Sequence, residues 1–121
     1  MMRFIQQFGY TVKVGQDEAH QKWVIENDAK LRAAAPPGSK YIGTFSVIFS
    51  SEKNAGSYLV LMELDSYGAM DAGAAAMKDA NGDWGKLIRE STKFIDVDLA
   101  APWSNWLLKD VVDATIWDPA G

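Results

Sequence analysis

Apolar and polar positions alternate from Arg3 to Val14. Phe4, Phe8, Tyr10, Val12 and Val14 share one parity, with Gln7, Thr11 and Lys13 on the other. A period of two sends successive side chains to opposite faces, so this segment is predicted to be a strand. Gly15 ends it. Asp17 then stands where a helix cap is wanted, with Glu18 in the first turn, where the helix dipole favours negative charge. Beyond it the period lengthens. At about 100° per residue His20, Trp23, Val24, Asn27, Leu31, Ala34 and Ala35 fall within one arc. Glu18, Lys22, Glu26 and Lys30 point away from it. Pro36-Pro37-Gly38 stops the helix, because proline supplies no backbone donor and clashes with the preceding turn.

Tyr41 to Ser51 is rich in aromatic and β-branched residues and reads as a second strand. Glu52-Lys53-Asn54-Ala55-Gly56 is turn chemistry, and Tyr58 to Asp65 is a third strand, so the two form an antiparallel hairpin. Ser66 is placed to cap a second helix that runs to about Lys78, with Met70, Gly73, Ala74 and Met77 as its inner face. Asn81-Gly82-Asp83 breaks it, and a further helical piece carries Trp84, Leu87 and Ile88. From Lys93 to Leu99 the alternation returns, with Ile95, Val97 and Leu99 opposite Asp96 and Asp98, which predicts a fourth strand. Pro102 suits the first position of a terminal helix over 101–113, where Trp103, Trp106, Leu107 and Val111 recur at helical spacing.

The order β-α-β-β-α-β is the split βαβ, or ferredoxin-like, arrangement. It is an α+β fold in which an antiparallel sheet carries helices on one face, here with a C-terminal helix added. One domain over residues 1–121 is expected, with its core in 3–99. The 121 residues are enough to bury a core without staples. The third strand adds a demand. Tyr58, Val60, Met62 and Leu64 face one way, but Leu59 and Leu61 face the other, and a sheet that is apolar on both sides must be covered on both. A second copy of the sheet would cover it. Packing of Trp103 and Trp106 from the terminal helix is the competing explanation.

Composition narrows the chemistry. Lys+Arg 12 against Asp+Glu 16 gives a formal charge of −4, which argues against a nucleic-acid partner. There is no cysteine and one histidine, so thiolate nucleophiles, iron–sulfur clusters and multi-histidine metal sites are excluded. No cofactor or metal site is expected. No run approaches the roughly 18 apolar residues of a membrane span, and the first residues lack the apolar stretch of a secretory signal, so a cytoplasmic protein without a membrane partner is expected.

Tyr10-Thr11-Val12-Lys13-Val14-Gly15-Gln16-Asp17-Glu18 and the stretch from Glu63-Leu64-Asp65-Ser66 to Asp83-Trp84-Gly85-Lys86-Leu87 resemble the dimeric α/β-barrel superfamily. The first is like that family's opening strand-to-helix junction. The second is like its acidic strand end, small-residue helix and Trp-x-x-Leu step. The likeness spans roughly residues 3–99 and points towards the antibiotic-biosynthesis monooxygenase and stress-responsive members. It implies a homodimer with two sheets face to face and a pocket between each protomer's helices and its own sheet. Haem degradation, one activity of the superfamily, is set aside. The positions that branch fills with a first-strand Asn, a third-strand Trp and a second-helix His fall here on Phe8, Leu64 and Ala74.

His20 is the main titratable candidate, a histidine on an apolar arc near the start of its helix. Tyr10 projects from the strand that ends at the loop leading into that helix, so the two are expected to meet near one end of the layer and to form the catalytic pair. Phe8, Trp23, Asn27, Tyr58, Met62 and Trp84 are the expected ligand-binding residues, placed on faces that look into the same layer. The function expected is binding of an apolar or aromatic small molecule by a homodimer. As an enzyme it would be a cofactor-free monooxygenase, cyclase or isomerase acting on an aromatic or polyketide-like substrate. The alternative is a non-catalytic dimeric binding or stress-associated domain with no open pocket.

Overall fold

The computed structural model describes residues 4–50, 56–96 and 104–109. Among these residues, four strands and three helices follow in the order β1 (Phe4–Tyr10), α1 (Asp17–Ala34), β2 (Ser39–Ser46), β3 (Tyr58–Leu64), α2 (Ala69–Lys78), α3 (Asp83–Thr92) and β4 (Ser104–Lys109). The strands lie side by side as β2-β3-β1-β4, and every neighbouring pair is antiparallel. This is the ferredoxin-like α+β fold.

Parity organises the sheet. Phe4, Gln6, Phe8 and Tyr10 of β1 stand on the same side as Leu64, Met62, Val60 and Tyr58 of β3, their direct partners in the register. The core forms where this face meets the helices: Phe4, Tyr41, Met62 and Leu64 pack with Leu31 of α1, Ala69 of α2 and Leu87 of α3. A second cluster at the other end joins Tyr10, Val12 and Tyr58 to Phe94 and Ile95. In β2 the register slips between Tyr41 and Gly43, leaving Ile42 as the extra residue of a bulge. Arg32 of α1 donates to the carbonyls of Tyr41 and Ile42 at 3.2 and 2.9 Å, which satisfies backbone acceptors near the bulge. Its Nε also donates to Asp28 at 2.9 Å.

Several elements differ from the sequence reading. Residues 104–109 form a strand, not part of a terminal helix. In the sequence Trp103, Trp106, Leu107 and Val111 recur at helical spacing, but so short an apolar segment as 104–109 fits both periods. The backbone groups along the edge of β1 decide the outcome, since they need a ladder partner, and β4 supplies it from Phe4↔Lys109 to Gly9↔Ser104. Of the expected fourth strand at 93–99, the described residues 93–96 form one antiparallel bridge, between Val12 and Ile95; residues 97–99 lie outside the described residues. So do Trp103, Val111 and residues 52–55 of the expected turn.

β1 stops at Tyr10 rather than Val14, and Val14 is 98% exposed in the turn before α1. Asp17 is the first helical residue, not the cap; Gln16 holds that position without a side-chain bond. Ser66 does not cap α2, which starts at Ala69 after Gly68. β2 runs over Ser39–Ser46, although Val47 still pairs with Ser57 and Gly56 through two backbone bonds.

Candidate functional site

β1 delivers Tyr10 to the end of the sheet, and the loop that follows is short enough for the first turn of α1 to fold back over it. His20 therefore arrives directly against Tyr10. A 2.7 Å hydrogen bond joins Tyr10 Oη and His20 Nε2, and both side chains are buried. Tyr58, the register partner of Tyr10, stacks on it at 5.9 Å between ring centroids, and its ring lies 4.4 Å from the imidazole. Phe94 closes the fourth side at 6.0 Å. The Tyr58 hydroxyl donates to Asp17 at 3.0 Å and accepts from Gln21 at 3.1 Å, which pins the first turns of α1 to β3.

This box sets the protonation states. Burial holds His20 below the ordinary 6.5 of an imidazole and outweighs the opposing attraction of Asp17. Burial also raises the Tyr10 phenol well above its ordinary 10, with smaller contributions from Tyr41 and Tyr58. Both partners are neutral at physiological pH. Transferring a proton from phenol to imidazole would create an ion pair inside an aromatic box, so the pair is suited to hydrogen bonding rather than to abstracting a proton. His20 Nδ1 has no hydrogen-bond partner among the described residues.

Between the helices and the sheet lies a cavity of about 360 Å³. Its floor is Phe8, Val60 and Met62 of the sheet, and Trp23, Trp84 and Ile88 of α1 and α3 form its walls. Tyr10 lines one end. Ser91 and Thr92, also in the wall, donate to the carbonyls of Ile88 and Arg89, and Thr44 is bonded to Tyr41 at 2.5 Å. Of the other polar lining groups, Tyr10 is bonded to His20, the Trp23 indole donates to Glu90 at 3.3 Å, and the Gln6 amide donates to Asn105 at 3.5 Å. Among the described residues no group of three or more His, Asp or Glu side chains could hold a metal ion, and no helix is long and apolar enough to cross a membrane.

The sequence-derived candidates divide into two groups. Phe8, Tyr10, Trp23, Met62 and Trp84 line this cavity together. His20 and Tyr58 do not; they line a smaller space of about 220 Å³ with Gln21, Ile25 and Ser46, which shares Val24 and Thr44 with the main cavity. Asn27 lines neither. Its amide donates to the Trp23 carbonyl one turn back along its own helix at 2.8 Å, which satisfies it locally. Gln6 was missed, though parity gives it away: it is the polar residue in the otherwise apolar row Phe4, Phe8, Tyr10.

No protein-family model matches the chain, and no curated protein matches its sequence. Solved structures do share its fold. A NIPSNAP family protein from Agrobacterium tumefaciens superposes with a TM-score of 0.64 at 14% identity, over 93% of this chain and 89% of that one. An uncharacterised NIPSNAP-like domain protein from Burkholderia xenovorans gives 0.63 at 10% identity, over 97% and 92%. A protein described as a candidate antibiotic biosynthesis monooxygenase from Nitrosomonas europaea gives 0.55 at 12%, over 87% and 95%. At such identities the likeness is one of fold. The chain is similar to these proteins in its ferredoxin-like architecture, the fold expected from its sequence.

Proposed function

We propose that the chain binds an apolar or aromatic small molecule in the cavity between its helices and its sheet, and does so as a homodimer. The cavity carries this reading: about 360 Å³ of space walled by aromatic and aliphatic side chains, with Tyr10 at one end able to fix a ligand oxygen. With His20 Nε2 protonated and donating to Tyr10 Oη, the phenol hydrogen would be left for a second acceptor such as a ligand oxygen. The histidine then acts as a positioning residue behind the tyrosine. Where the bound molecule is enolisable, the same hydrogen bond would stabilise the developing enolate oxygen. That is the contribution this pair would make to a cofactor-free oxygenase, cyclase or isomerase. Titration calorimetry with 2-acetylnaphthalene, an uncharged aromatic ketone, tests the binding. Saturable binding that weakens about tenfold or more in Tyr10→Phe is expected, in line with losing one hydrogen bond. Absence of binding, or equal binding by the variant, overturns the assignment.

The dimer rests on the outer face of the sheet. Leu59 and Leu61 of β3 lie there beside Phe45, Trp106 and Leu108, which are 45, 56 and 44% exposed. Large apolar side chains contiguous on one sheet face mark an interaction surface, and the same surface on a second copy is self-complementary about a twofold axis.

A further inference from the structure

A second cavity of about 290 Å³ lies beneath α2, lined by Leu64 at the far end of the sheet and by Ala69, Met70, Gly73 and Ala74 along the helix. It shares Gln6, Met62, Met77 and Trp84 with the main cavity, so the two spaces adjoin along a common wall. Two of those four residues are methionines, whose unbranched, adaptable side chains shift at little cost. Gly73 is open: a Cβ built on it meets nothing within 4 Å. No described residue lining either cavity carries a charge. An ionised ligand head would thus be desolvated there without a counter-charge, a cost that a neutral oxygen facing Tyr10 or Gln6 avoids.

We propose that the two cavities act as one trough for an elongated, uncharged ligand, a linear or fused-ring apolar molecule with a neutral hydrogen-bonding oxygen. The oxygen lies at the Tyr10 end, the body passes Met62 and Trp84, and the tail runs beneath α2 towards Gly73. This rests on the proposed binding function and names the class of molecule bound. Gly73 sets the length accepted, because it leaves the far end of the trough unfilled.

The test is binding of a homologous series of unbranched methyl ketones, beside the matching carboxylates and alkylamines, to the wild type and to Gly73→Leu. Affinity for the ketones is expected to rise about fourfold per added methylene (about 0.8 kcal/mol each) until the trough is full. In Gly73→Leu the rise should stop at a shorter chain. Carboxylates and amines of equal length should bind at least tenfold more weakly. Circular dichroism and thermal melting of Gly73→Leu check that the variant is folded. If ketones bind but the series levels off at the same length in both proteins, the trough is wrong and the binding function stands. Equal affinity for the carboxylates overturns the uncharged-ligand assignment. If no ketone of any length binds, the trough and the binding function fall together.

Discussion

Removing the Tyr10 hydroxyl would leave both ring nitrogens of His20 without a partner, on a side chain that is only 1% exposed. Tyr10→Phe is therefore expected to lose about 1–3 kcal/mol of stability, the usual cost of orphaning a buried polar group, as measured by urea unfolding. A loss below about 0.5 kcal/mol would mean that the hydrogen bond contributes little. His20 also makes stability depend on pH. Its folded pKa is lowered below 6.5, so the unfolded chain binds more protons as the pH falls through that value. Stability is fully present above about pH 6.5 and declines below it, towards the lowered folded pKa. His20→Gln should flatten that part of the stability profile between about pH 5 and 7, above the range where carboxylates titrate. An unchanged slope would contradict the burial account. Much of this was legible in the sequence, because a helical arc and a strand parity each fix a direction. Tyr10 and His20 are pointed into one layer by those two periods alone. That His20 lines a different space from the main cavity was not legible. It depends on the distance between α1 and the sheet, set by Tyr58, Phe94 and Trp23 packing together, and no local period encodes that distance.

Two helical glycines bring the same logic to the scale of elements. In α2, Gly73 faces open space, so Gly73→Ala is expected to stabilise the fold by about 0.5–1 kcal/mol through helix propensity. In α3, a Cβ on Gly85 would stand 2.9 Å from the Ala76 carbonyl oxygen and 3.2 Å from that of Asp79. α3 closes on the end of α2 there, and Arg89 donates to the Met77 and Ala80 carbonyls across the same junction. Gly85→Ala is thus expected to destabilise by about 1–3 kcal/mol despite its better propensity. Paired thermal melts check both, and shifts of the same sign would contradict the packing at this junction. The strands show where local reading stops. Alternation identified β1, and a short apolar run bounded by turn residues identified β3. The segment 104–109 carries Trp106 and Leu107 at a spacing compatible with a helix. Its state is settled by the edge of β1, nearly a hundred residues earlier in the chain, and a local pattern carries no record of that partner.

At the scale of the whole molecule, an apolar outer face and an apolar inner cavity lie on opposite sides of one four-stranded sheet. The outer face leads to a quantitative expectation. Sedimentation at micromolar concentration should give a species of twice the 13.3 kDa chain mass, burying more than about 2,000 Å² in total as obligate pairs commonly do. Trp106→Glu, which sets like charges across the twofold, should return it to one chain mass; a wild-type monomer would rule the pairing out. The inner cavity bears on what the protein does, and its tryptophans report on it. Trp23 and Trp84 line the cavity, while Trp106 stands on the opposite face. The most direct measurement is a titration of nitrogen-15-labelled protein with 2-acetylnaphthalene, followed through the indole N–H resonances. Saturable shifts at Trp23 and Trp84, with Trp106 unmoved, are the expected result. No saturable shift at either cavity tryptophan, or a response confined to Trp106, would contradict the assignment of this cavity as the binding site.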